Sequence, residues 1–435
     1  MEYFLLLIFL IFSIYAIKVL LRKDFLFAII YLVFFSYCFF SLFSYVYIPE
    51  EVASLGKQYY GELAFYPYLF YCFLFHVLIF LFFLYKRKDR KGFEFTLCSV
   101  KKDYLMKTKI LYHFIIVSFI VLYLFFLCNT YSSLSYYNQT PLKANPLFFY
   151  MFELMILLII FLFHIARTNI EYRKSNCIYL LIISLLFIIT ALKCGQRIQL
   201  LSLAMGLIVY YICLVKGNFN IKRIIVLSAI ILMLIFLLQL IRLTRGNFSN
   251  ISIQTIIDCF SPFLNLRFYL FQDWFYPPLS LVTAIQKDLI TPFAVIISNI
   301  SIMIPLIPHT SLGSTMSNIV DPIGNRGYGY YYITEGYQFL GGVGVIIYAA
   351  FLIALYNLFF KIFTFDDCDL NILIKASFAT FILSLVRSQS FSFIKQVVFW
   401  FLPILFLYFL FNGKYPTKKR GESKYVWYLN NNVYI

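Results

Sequence analysis

Six arginines, Arg197, Arg242, Arg245, Arg267, Arg326 and Arg387, carry the clearest chemical signal in this sequence. A guanidinium offers a planar fork of donors that matches phosphate or carboxylate oxygens, and it keeps its charge in a partly dry site. Arg242 and Arg245 stand three residues apart, so a helix would set them on one face. A set of this kind suits a diphosphate carried on a lipid. Each arginine taken singly would also serve as an interface anchor for lipid headgroups. Glu335 and His309 are the candidate proton acceptors, with Asp258, Asp273, Asp288 and Asp321 on the same side. Glu335 stands out because it lies in Tyr330-Tyr-Tyr-Ile-Thr-Glu335-Gly-Tyr337, just ahead of an apolar run. A helix N-terminus there would also stabilise a carboxylate through its dipole. Trp274, Tyr276, Tyr328 and Tyr330 could stack on sugar rings or belong to an aromatic belt at a membrane interface.

The ordinary catalytic signatures are missing. The chain has no Walker loop, HExxH, GxSxG elbow or dinucleotide fingerprint. His76, His113, His164 and His309 are far apart, and the nine cysteines lie singly without a CxxC pair. No metal site and no cofactor are expected.

The elements that must position these residues are membrane helices. Of 435 residues, 62% are hydrophobic and only 13% charged, against about 25% charged in a soluble domain. Lipid is the solvent that such a chain needs. The net charge of +17 sits in short runs between apolar spans, which is the positive-inside pattern and not a nucleic-acid footprint. A crossing needs roughly 20 apolar residues, which places spans near 3–21, 25–47, 64–85, 110–130, 147–166, 177–193, 198–215, 224–243, 337–360, 372–388 and 391–411. The first stretch lacks a basic leader and a small-residue cleavage site, so it reads as a retained span. The expected fold is an all-α, polytopic membrane protein with about eleven spans, a single membrane domain over 1–435.

Loop charge sets the orientation. Residues 86–109 are densely basic and belong in the cytoplasm, as do Arg22-Lys23, 167–174, 216–223 and the tail from Lys414. The N-terminus then lies outside and the C-terminus inside. A large external loop runs over 244–336, with 279–307 read as re-entrant or interfacial because Lys287-Asp288, Pro292, Pro305 and Pro308 interrupt it. The six arginines fall on the external side, where they supply about half of the positive charge; lysine dominates the cytoplasmic side. Gly324, Gly327 and Gly329 permit tight loop turns, and Gly341-Gly342-Val-Gly344 permits close helix packing.

In this arrangement the chain resembles the Wzy-type O-antigen polymerases. The likeness rests on the many spans, the dominant external loop in the second half, and three short segments. These are Gly195-Gln-Arg197, Gly327-Tyr-Gly329 and Glu335-Gly-Tyr337-Gln-Phe339-Leu-Gly341-Gly342-Val-Gly344. The resemblance implies an enzyme of the bacterial cytoplasmic membrane that joins undecaprenyl-pyrophosphate-linked oligosaccharide repeat units into a surface polysaccharide. Arg197, Arg242, Arg245, Arg326 and Arg387 would hold the pyrophosphate, and Glu335, His309 and Arg267 would be catalytic, with Glu335 the first choice of base. A flippase and a chain-length regulator of the same pathway are the implied partners. A lipid-linked oligosaccharide flippase or other transporter, and an O-antigen ligase, remain the alternative readings.

Overall fold

The computed structural model describes residues 2–47, 62–86, 95–99, 102–130, 146–194, 197–215, 252–258, 272–303 and 330–418, with positions 240, 312, 315, 316 and 319 between them. In chain order the helices are α1 (Glu2–Lys23), α2 (Phe25–Tyr47), α3 (Glu62–Lys86), α4 (Lys102–Thr130), α5 (Pro146–Thr168), α6 (Arg173–Cys194) and α7 (Arg197–Val215). The short helices α8 (Ile253–Asp258), α9 (Gln272–Gln286) and α10 (Pro292–Met303) follow. The chain closes with α11 (Tyr332–Ile362), α12 (Cys368–Arg387), α13 (Ser390–Gln396), a π-helical turn over Val397–Phe401, and α14 (Leu402–Asn412).

Ten helices among the described residues are long and apolar enough to cross a membrane, the last running from Ser390 to Asn412. They coincide with ten of the eleven spans expected from the sequence; the other, 224–243, lies outside the described residues apart from position 240. Helices are what lipid demands, because each backbone N–H and C=O must find its partner within the segment. Their burial separates centre from rim. The apolar windows of α5 and α12 are 72% buried, those of α1 and α4 only 28%. Tyr3, Ile11, Phe114 and Val121 on the outer pair are exposed, facing the direction in which lipid would lie. At the centre, Gly206 brings α7 against α5 and α12: a Cβ there would fall 2.4 Å from Ile160 and 2.6 Å from Thr380. Two short strands, β1 (Phe95–Ser99) and β2 (Lys414–Lys418), pair antiparallel, with Phe95 opposite Lys418 and Ser99 opposite Lys414.

Three helix breaks shape the second half. The first separates α9 from α10 at Lys287–Thr291, where Asp288 takes φ 47°. It falls where Lys287-Asp288 and Pro292 interrupt the apolar run. Neither flanking helix, at 15 and 12 residues, reaches across a bilayer alone. The third parts α12 from α13 at Ser388-Gln389, both extended.

The second break bends α11. Leu340 (φ −151°, ψ 36°) and Gly341 (φ 59°, ψ −137°) leave helical geometry, and the positive φ favours glycine. The bend folds residues 332–339 back along 342–362. In a straight helix Tyr332 and Tyr348 would be about 24 Å apart, yet the Tyr332 hydroxyl donates to the Tyr348 carbonyl at 3.1 Å. The span expected at 337–360 therefore begins inside a half-helix; 342–362 alone rises about 30 Å, enough to cross.

Gly336 and Gly344 meet face to face across this fold-back. A Cβ on Gly344 would lie 1.9 Å from the Gly336 carbonyl oxygen. Gly344→Ala is expected to destabilise the protein by roughly 1–3 kcal/mol or more, because backbone has to move. A Cβ on Gly342 would instead meet the Tyr71 ring at 3.2 Å, a side chain that can give, so Gly342→Ala should cost less. Thermal unfolding of the purified protein in detergent reads the difference, and equal midpoints for the two variants would contradict the fold-back.

Candidate functional site

The three breaks meet around one buried carboxylate. Glu335 has no exposed surface. Its Oε1 accepts from Asn299 Nδ2 at 2.5 Å, from the Tyr348 hydroxyl at 2.9 Å and from Ser390 Oγ at 2.8 Å. Its Oε2 accepts from the Ser390 backbone N–H at 2.8 Å. Asn299 comes from α10, Tyr348 from the far arm of α11, and Ser390 is the first residue of α13. The Ser390 N–H is one of the donors a helix start leaves without an internal partner. One side chain thus caps the first N–H of α13 and ties α10, both arms of α11 and α13 together.

A second layer of polar contacts surrounds this centre. Gln389 donates to Ser298 Oγ at 2.8 Å, and Ser280 and Thr334 share a hydrogen bond of 2.7 Å. The Gln338 carbonyl accepts from the Thr291 N–H at 2.7 Å, and its side chain accepts from the Tyr330 hydroxyl at 2.5 Å. Tyr331 reaches Cys38, midway along α2, at 2.7 Å.

Arg387 adjoins the cluster. Its carbonyl accepts from the Tyr330 N–H at 3.4 Å, and its guanidinium sits 6.0 Å from the centre of the Tyr37 ring. Its Nε is buried and has no hydrogen-bond partner among the described residues. An unpartnered guanidinium nitrogen beside a polar network is a natural anion contact.

Above the network a cavity of about 570 Å³ opens against α10. Phe293, Ile297, Leu312 and Ile319 give it apolar walls, while Ser298 and Gln338, both members of the network, give it a polar floor. Such a shape takes an amphipathic substrate, with its apolar part along the walls and its polar part below. Among the described residues no three His, Cys, Asp or Glu side chains gather as a metal site would require.

Of the residues singled out from the sequence, Glu335 and Arg387 come together here. Arg197 is the first residue of α7, but its side chain is outside the described set. Arg242, Arg245, Arg267, Arg326 and His309 lie outside the described residues. The sequence reading missed Asn299, Gln389 and Ser390. The available signal was an amide within the apolar run of α10 and a polar pair between two spans, since polar groups at membrane depth are costly and usually functional.

A family model described as O-antigen polysaccharide polymerase Wzy matches residues 1–420 of the chain. No curated protein and no solved structure matches it.

Removing the Glu335 carboxylate would leave several buried donors without an acceptor, at about 1–3 kcal/mol each. Glu335→Ala is expected to cost roughly 3 kcal/mol or more, Asn299→Ala about 1–3 kcal/mol. Because both act on one network, the double variant should lose less than the two costs added together. Additive losses in thermal unfolding would show the two residues to be independent.

Proposed function

The chain belongs to the O-antigen polysaccharide polymerase Wzy family, and from that premise we propose that it joins repeat units carried on undecaprenyl pyrophosphate at the outer face of the bacterial cytoplasmic membrane. The observation that carries this reading is the apolar-walled cavity whose lining includes Ser298 and Gln338 of the polar network, a network that Arg387, with its buried Nε, adjoins through Tyr330. A substrate with a lipid tail, a charged linker and a sugar needs just these three environments side by side.

In the reaction, a sugar hydroxyl of one lipid-linked unit attacks the anomeric carbon of the growing chain. The bond from that carbon to the pyrophosphate oxygen breaks, and its electron pair leaves with the pyrophosphate. Preorganised cations lower this barrier by stabilising the departing charge. Arg387 is assigned that role together with Arg197, Arg242, Arg245, Arg267 and Arg326. The hydroxyl proton needs an acceptor. Glu335 was the first choice on sequence grounds, but four donors already occupy its two oxygens. We assign Glu335 to positioning, and the proton to His309.

The external placement rests on loop charge and on parity. Pairing of β1 with β2 puts the basic loop after α3 and the tail after α14 on one side, so an even number of crossings separates them. The described spanning helices between them, α4 to α7 and α11 to α14 with α13 and α14 counted as one span, are odd in number. This supports the expected crossing at 224–243, and with it an external N-terminus and a cytoplasmic C-terminus.

The surface glycan of a strain lacking this chain, run as a ladder on a gel, tests the reading. Long chains are expected to vanish while single units still reach the surface. Arg387→Ala, Arg197→Ala and Arg267→Ala, at normal protein level, should each fail to restore them, with rates down about 10²–10³-fold. Polymer that forms but stays on its carrier would identify a ligase. Lipid-linked units trapped on the cytoplasmic side would identify a flippase.

A further inference from the structure

The turn that joins α9 to α10 carries a charge where the backbone disfavours one. The Leu289 N–H donates to the Ala284 carbonyl at 2.9 Å, and the Asp288 N–H donates to the Ile285 carbonyl at 3.2 Å. That pair of bonds closes the C-terminus of α9 as a Schellman cap, with Asp288 at its left-handed position. The φ of 47° at Asp288 is the one positive value for a non-glycine among the described residues. Glycine, or failing that asparagine, is the usual choice there. Aspartate adds a second cost, because its negative charge sits at the negative end of the α9 dipole. Capping gives the side chain no task, since both cap bonds are made by backbone. Strain of this kind persists mainly at functional positions.

The surroundings define the task. Leu289 and Thr291 line the cavity against α10, and no residue of that lining is charged. The Asp288 side chain is exposed, so its carboxylate stands at the cavity's edge. The Thr291 N–H donates to the Gln338 carbonyl at 2.7 Å, and a Cβ on Gly341 would lie 3.4 Å from Ile290. These contacts hold the turn against the bend of α11, where the arm long enough to cross the bilayer begins. In the orientation proposed above, that is the outer face. Tyr337, in the folded-back arm of α11, faces the carboxylate, and Asp288 has no ion pair among the described residues. An ionised carboxylate accepts hydrogen bonds and donates none, and its two oxygens can take two neighbouring donors at once. It repels a pyrophosphate. The part of a lipid-linked unit that offers paired donors beyond the membrane face is a sugar.

We propose that the Asp288 carboxylate binds hydroxyl groups of a sugar of the lipid-linked unit at the outer edge of the α10 cavity, and so orients that unit for transfer. The proposal rests on the polymerase reading for the identity of the sugar. Anion and sugar are then sorted by charge, the pyrophosphate to the arginines and the hydroxyls to Asp288.

The test uses the full chain purified in detergent and the lipid-free repeat-unit oligosaccharide, released by mild acid from cells lacking this chain. Binding and stability are both read by thermal unfolding. The oligosaccharide is expected to stabilise the parent protein. Asp288→Asn keeps a residue that tolerates the left-handed backbone and removes the charge that opposes the dipole. Asp288→Gly relieves the strain as well. Without ligand, both variants should unfold at or above the parental midpoint, yet each should bind the oligosaccharide about tenfold more weakly or worse. A purely structural role predicts the opposite order, with stability lost first. Lowered midpoints in both variants would therefore overturn the proposal, and so would parental affinity. A parent protein that restores the glycan ladder but does not respond to the oligosaccharide would also overturn it, and leaves the polymerase reading standing. Binding lost in the variants while deletion of the chain leaves the ladder intact keeps the sugar contact and removes the polymerase reading.

Discussion

A helix interrupted inside a membrane bundle leaves N–H and C=O groups where no water can meet them, and each one costs several kcal/mol. In this protein two such breaks and the turn between two spans come together around a single carboxylate. Glu335 joins α10, both arms of α11 and the start of α13. The cavity floor, the fold-back of α11 and the position of Arg387 beside Tyr330 all follow from that junction. The Gln338 carbonyl accepts the Thr291 N–H at the first break, and Gln389 donates to Ser298 beside it. The irregular backbone is thus confined to where it borders a cavity, the circumstance in which a membrane protein tolerates it.

The opposite end of the bundle is held differently. Arg167 reaches Tyr210 and Asp369, His164 meets Tyr210, and Tyr408 donates to Asp367. These contacts tie α5, α7, α12 and α14 together. At the same end Tyr112 donates to Asn176, and further along the same two helices Tyr123 pairs with Thr190. The composition, 21% aromatic, gains a physical meaning from these pairs. Helices in lipid gain no hydrophobic drive from meeting one another, so packing area and interhelical hydrogen bonds must hold them. Tyrosine supplies both from one side chain.

The spanning helices were legible because their cause is local: a run of apolar residues has to be a helix in lipid. The bend in α11 was only half legible. Gly341-Gly342-Val-Gly344 was read as a close-packing run, and Gly344 does pack closely, but against Gly336 of its own folded-back helix. Nothing local distinguishes that from contact with a neighbour. Glu335 was visible as a lone carboxylate ahead of a span, while its partners Asn299 and Ser390 lie 36 and 55 residues away in sequence. Their convergence depends on tertiary packing.

The ribbon of β1 and β2 has a consequence for biogenesis. Its strands are roughly 300 residues apart in the chain, and synthesis proceeds at about 5–20 residues per second. The first strand therefore waits some tens of seconds beside the membrane with its hydrogen-bonding edge bare. Lys101 and Lys102 follow it after one residue, and charge of that kind discourages a bare edge from pairing with the wrong strand. Closure of the ribbon can only come once every span between the strands is in place, which makes it a late event that marks completed insertion.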